Sequence, residues 1–255
     1  MREVKATRYV TALREGGSLP GLVEADDDGL YVVKFRGAGQ GPGALVAEVV
    51  AGELGRALGL PVPEPVVISV SPELGHAEPD PEIQELIEAS PGNNLGMDFL
   101  PGALPFTLPD PGSPGGTEGI DAGFAADVVW FDALITNIDR TPRNPNLLTW
   151  HRQTWLIDHG AAFFRQHGDR PLAETALTAT PMLRDHVLLP AAGPLAEAGE
   201  RLSTRARAAI EDAVGAIPDE WLGPKPGLPR SEFIGYLNRR IDGQETFIRE
   251  LESDG

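Results

Sequence analysis

The 255-residue chain has no cysteine. That excludes disulfides, thiolate nucleophiles and cysteine-held metals, and makes a reducing, cytoplasmic compartment the expectation. No apolar run approaches the roughly 20 residues of a membrane span, and no signal-peptide pattern precedes the first charged, strand-like segment, so no membrane partner is expected. Basic residues are scarce: 21 Lys and Arg stand against 38 Asp and Glu, a formal charge of −17. Such a surface repels phosphate backbones, and no nucleic-acid partner is expected either. Lysine occurs only at Lys5, Lys34 and Lys225. Glycine and proline, at 30 and 24 residues, are plentiful and point to tight connections between short elements. With 41% hydrophobic and 23% charged residues, the chain can bury the core of one large domain or of two lobes around a cleft.

Along the chain, β-favouring segments at 4–13, 22–25 and 30–35 predict a three-strand meander. The interruption after the first contains Gly16, Gly17 and Ser18, whose exposed amides suit a polyphosphate. Lys34 closes a continuous apolar strand, where an ammonium suits pairing with phosphates and needs a carboxylate to hold it. A helix from Ala44 to Leu58, stopped by Gly59, offers Glu48 as that carboxylate, with Glu53 as the competing choice. Strands follow at 66–70 and from Asn94 to the Pro101-Gly102 exit, with a short helix at 83–88 between them. Residues 103–118 read as a Pro/Gly-rich linker between an N-terminal unit, 1–102, and a C-terminal unit, 119–255. A long helix is predicted from about Ile120 to Ile135, with others at 183–188, 193–201, 204–215 and 231–251.

Two short stretches carry the chemistry. In Asn137-Ile138-Asp139-Arg140-Thr141-Pro142-Arg143-Asn144, Asp139 can take a proton from an attacking hydroxyl, and Asn144 offers an amide oxygen. In Leu156-Ile157-Asp158-His159-Gly160, Asp158 ends an apolar run, where a carboxylate is costly to bury without a partner or a metal. A hairpin through 146–157, turning at 151–153, brings Asn144 and Asp158 to the same end. An Asn and an Asp supply the hard oxygens magnesium prefers, and phosphoryl transfer from ATP needs positioning and charge neutralisation above all.

Taken in order, the Gly-rich loop, strand Lys, helix Glu, N-I-D-R-T-P-R-N and L-I-D-H-G resemble the HipA-like branch of the protein-kinase-like superfamily, over about residues 4–190. The resemblance implies an α+β, bilobal protein-kinase-like fold, with a small β-rich N-lobe and a larger, mainly helical C-lobe. It implies Asp139 as catalytic base, Asn144 and Asp158 as magnesium ligands, and Lys34 as phosphate contact with Glu48 its partner. Gly16, Gly17 and Ser18 would cover the phosphates, and the backbone around Asp98, Phe99 and Leu100 would hold adenine. The expected activity is ATP- and magnesium-dependent transfer to a hydroxyl, most readily Ser or Thr of a protein. The alternatives are a nucleotide-binding pseudokinase or interaction module, and a small-molecule kinase. Thr141 motivates the module reading, since many atypical kinases carry His two residues after the catalytic Asp.

Overall fold

The computed structural model describes residues 1–13, 19–38, 41–107, 120–222 and 229–253. Strand β1 (Arg2–Ala12) turns Val4, Ala6 and Tyr9 inward and shifts register after Ala6 and after Tyr9, as a strand bending around a barrel must. Strands β2 (Gly21–Ala25) and β3 (Leu30–Lys34) continue the expected meander, each antiparallel to the last. Helix α1 (Gly41–Ala57), strand β4 (Pro65–Val70), helix α2 (Pro81–Glu88) and strand β5 (Gly92–Asp98) follow. The five strands close into a barrel in the order β1-β2-β3-β5-β4, sealed by parallel pairing of Arg2–Lys5 with Val66–Ser69. Closure leaves no room at Gly96, where a Cβ would stand 2.8 Å from Val66 Cγ2. Val23, Tyr31, Val33 and Ile68 fill the barrel, and Ile83 and Ile87 of α2 complete the same core.

A second, larger core holds α1 together with the later helices. Strand β6 (Leu104–Pro105) pairs with β7 (Leu147–Trp150), which pairs with β8 (Gln153–Leu156). The remaining helices are α3 (Ala122–Ile135), α4 (Leu195–Gly215), α5 (Arg230–Asp242) and α6 (Gln244–Glu252). Asp121 caps α3 by accepting the Phe124 amide at 2.7 Å, and the helix is buried on almost every side. Its axis delivers the chain to Thr136, which stops it in the left-handed region at φ 49°.

Several sequence expectations need correction. The helices expected at 193–201 and 204–215 are the single helix α4, because Leu195, Ala198, Leu202, Ala206 and Ile210 keep one buried stripe through Ser203 and Thr204. The helix expected over 231–251 is instead two, parted at Gly243 after Asp242, where a glycine ends α5. Residues 183–188 form no α-helix: a short 3-10 turn, Pro181–Asp185, precedes His186, whose Nδ1 takes the Leu188 amide that a continuing helix would have used. Strand β6 falls inside the stretch read as linker, of which 108–118 lie outside the described residues.

Candidate active site

The hairpin expected around 151–153 is a two-residue turn. His151 and Arg152 both have positive φ, 48° and 65°, as a turn matching the twist of the flanking strands requires. Its open end sets the Ile157 amide on the Asn146 carbonyl at 3.0 Å and brings both motifs to one cavity of about 710 Å³. Asp139, Asn144, Asn146 and Asp158 line it, with Ala44 at the start of α1 and apolar Phe106, Leu147 and Leu148.

Asp139 is half-buried, and its Oδ2 accepts from Asn144 Nδ2 at 2.8 Å and from Asn146 Nδ2 at 3.3 Å. These bonds turn the Asn144 amide so that its nitrogen is committed, and among the described residues its Oδ1 has no hydrogen-bond partner. Thr141 and Asn144 form a tight bridge, the Asn144 amide meeting Thr141 O at 3.1 Å and Thr141 Oγ1 at 3.3 Å. Thr141 therefore closes the loop that aims Asn144.

Asp158 has φ 55°, a left-handed conformation that Asp tolerates better than most residues. Its Oδ1 accepts from Lys34 Nζ at 2.6 Å, while Glu48 Oε1 accepts from the same ammonium. Glu48 is thus the partner of Lys34; Glu53 faces Arg56 at 4.0 Å instead. Burial alone would lower the Lys34 ammonium, but the charges of Glu48 and Asp158 outweigh it and hold it above its ordinary value. Burial would likewise raise Glu48, and the Lys34 charge, with His159 assisting, holds it well below the usual carboxylate range. Gly160 makes the approach possible: a Cβ there would stand 3.3 Å from Glu48 Oε1.

Beneath the loop is a buried hub that sequence reasoning missed. Asp132 of α3 accepts from Arg140 Nε at 2.5 Å, Asn137 Nδ2 at 3.1 Å and His186 Nε2 at 2.9 Å. Arg140, only 1% exposed, also donates to the carbonyls of Asn146 and Ile157. One guanidinium therefore ties α3, the loop before β7 and the strand end before Asp158 together. Because His186 Nδ1 accepts the Leu188 amide at 3.0 Å, a neutral imidazole there must carry its proton on Nε2, toward Asp132. The signal that could have found the hub is Asp132 itself, an acid inside the apolar run of α3.

Other expected residues fall differently. Asp98, Phe99 and Leu100 sit at the exit of β5, the Phe99 amide donating to Leu30 O at 2.9 Å, and none is among the residues lining the cavity. Gly16, Gly17 and Ser18 lie outside the described residues. Among the described residues no three His, Asp or Glu side chains gather as a metal cluster, and no helix is long and apolar enough to cross a membrane.

The sequence profile described as HipA-like kinase matches residues 7–231. No curated protein matches the chain. Its structure is similar to the crystal structure of a Helicobacter pylori proinflammatory kinase, CtkA, with a TM-score of 0.55 and 16% identity, covering 92% of this chain and 95% of that one. It is also similar to the crystal structure of the Golgi casein kinase with Mn/ADP bound, with a TM-score of 0.53 and 14% identity, covering 100% of this chain and 75% of the other. At such identities the likeness is one of fold.

Proposed function

Since this chain belongs to the HipA-like kinase family, we propose that it transfers the γ-phosphoryl group of ATP to a hydroxyl, of Ser or Thr in a protein, with magnesium as cofactor. The observation that carries the reading is the convergence of Asp139, Asn144 and Asp158 on one cavity, with Lys34 paired to Glu48 and to the Asp158 that lines it. In this reading the barrel and α1 make the smaller lobe and α3 to α6 the larger. The roles of the backbone near Asp98, Phe99 and Leu100 toward adenine and of Gly16, Gly17 and Ser18 toward the phosphates rest on the sequence resemblance alone.

The donor set suits magnesium: one amide oxygen and one carboxylate, with the remaining positions left to phosphates and water. Asn144 Oδ1 and the Asp158 carboxylate would hold the ion, which when bound neutralises charge developing on the phosphates. Lys34 steadies the α- and β-phosphates, its charge fixed by Glu48. Asp139, oriented by Asn144 and Asn146, takes the proton of the attacking hydroxyl. Arg140 and Asp132 hold that loop rigid, so the base is in place before the acceptor arrives.

A second reading, a nucleotide-binding module without turnover, is favoured by Thr141, which is engaged in the loop turn and cannot titrate. Radiolabelled-ATP transfer and a thermal shift with magnesium-ATP separate the two. Asp139→Asn is expected to lower transfer by roughly 10²–10⁴-fold, the usual worth of a general base, while nucleotide binding stays near wild type. Asp158→Asn is expected to weaken magnesium-dependent nucleotide binding. Unchanged transfer in both variants would sink the roles given to Asp139 and Asp158, and binding without transfer by the unaltered protein would favour the module.

A further inference from the structure

Three successive residues after Ile157 address the same ion pair. Asp158 reaches Lys34, and Gly160 leaves the space Glu48 occupies. Between them His159 turns inward, fully buried, its ring edge-on to Phe131 of α3 with centroids 6.0 Å apart. Its Nδ1 stands 3.8 Å from Glu48 Oε2. Glu48 Oε2 and both ring nitrogens of His159 are buried with no hydrogen-bond partner among the described residues, the kind of orphaned group that folded proteins avoid.

The two orphans that face each other are complementary, one an acceptor and the other able to donate. At 3.8 Å they stand beyond hydrogen-bond distance. A small ring rotation closes the gap. Lys34 already occupies Oε1, so Oε2 is the one Glu48 atom left to fix. A phenylalanine would pack on Phe131 as well as an imidazole does; what the imidazole adds is the donor.

We propose that His159 is a positioning residue for phosphoryl transfer: its Nδ1–H donates to Glu48 Oε2 and so fixes the carboxylate that holds Lys34 toward the nucleotide phosphates. This rests on the kinase reading above. Neutral imidazole carries a single N–H, and the tautomer reveals which nitrogen is engaged.

Long-range ¹⁵N–¹H correlation spectra of the full chain, with His159 assigned by its loss in His159→Asn and His159→Phe, read the tautomer without any reaction. Protonated Nδ1 is expected, with a signal that moves in Glu48→Gln. In steady-state kinetics His159→Phe is expected to raise the KM for ATP roughly tenfold, as for one lost hydrogen bond to a charged group, with a smaller change in kcat. His159→Asn, whose amide nitrogen stands near the Nδ1 position, should restore most of that loss. In a Glu48→Gln background His159→Phe should add nothing, because the interaction is already gone. An Nε2–H tautomer indifferent to Glu48, or an additive loss in the double variant, overturns the proposal. If His159→Phe fails to fold, the tautomer of the unaltered protein still decides. Should the unaltered protein show the Nδ1–H tautomer yet neither bind ATP nor transfer phosphate, the bond stands and the kinase reading is what fails.

Discussion

Asp132→Asn replaces one oxygen of the buried hub by an NH₂ group and should be among the most damaging single-atom changes in the chain. If the new nitrogen takes the place of Oδ2, it faces the Arg140 Nε–H and the His186 Nε2–H, both donors. If it takes the place of Oδ1, it faces Asn137 Nδ2 and Arg140 Nη2. His186 cannot relieve the clash by moving its proton, since its Nδ1 is engaged by the Leu188 amide. The Arg140 guanidinium, 1% exposed, is left without an anion. Removing one partner of a buried pair costs about 3–5 kcal/mol. At roughly 2–4 °C per kcal/mol for a chain of this size, the Tm should fall by about 6–20 °C. Urea unfolding at pH 7 measures the first quantity and a thermal melt the second. Burial alone would raise the Asp132 carboxyl, but the Arg140 charge and the His186 bond hold it well below the ordinary range. A depressed folded value gives stabilisation that is complete above the unfolded value, about 4, and is lost as pH falls toward the folded one. The gap between wild type and variant should therefore be constant down to about pH 5 and narrow only below about pH 4. A loss under about 1 kcal/mol at pH 7 would refute the account of the hub, because buried pairs broken on one side do not behave so mildly.

Lys34→Met leaves Glu48 as a buried carboxylate without its cation, so urea unfolding at pH 7 should show a loss of about 3 kcal/mol or more. In the wild type Glu48 is held low and its contribution is present above the ordinary carboxylate range; the deficit of the variant should thus be largest near neutral pH and shrink as pH falls and Glu48 takes up a proton. Gly160→Ala places a methyl 3.3 Å from Glu48 Oε1 and 3.7 Å from Asp158 Oδ1. Overpacking of this kind costs about 1–3 kcal/mol, and nucleotide affinity, read by thermal shift with magnesium-ATP, should weaken more than overall stability does.

How far the site is legible depends on what each residue touches. Asp139, Asn144 and Asp158 are polar groups at short, fixed separations, and a hairpin of ordinary length is enough to join them. Lys34 stands out by the rarity of lysine and its place at a strand end. Its bond to Asp158 spans 124 residues, and no local pattern reports such a contact. Helix phase separates Glu48 from Glu53 only once the direction of the core is known, for Glu48 lies among the buried Leu45, Val49 and Val50. Arg140 reads as a letter of a motif, yet its work is internal and rests on His186, 54 residues beyond Asp132, whose presence there follows from the turn after Pro181. The three-strand meander is local and readable; the parallel seam of β1 and β4 that makes it a barrel is not. The break expected at 202–203 is absent because the apolar stripe runs through it uninterrupted and outweighs the weak helix preference of Ser203.

The left-handed backbone at Asp158 bears on which inactive form of the protein is worth making. Asn and Gly accept that conformation readily, whereas a longer side chain such as Glu does not. Charge and backbone therefore rank the substitutions in opposite orders: Glu keeps the carboxylate and strains the chain, while Asn gives up the charge and leaves the chain at rest. A selection for active variants would find position 158 nearly closed, because the chemically nearest neighbour is a conformational misfit. For trapping a ligand by crystallography, the Asn form is the one expected to keep the shape of the cavity.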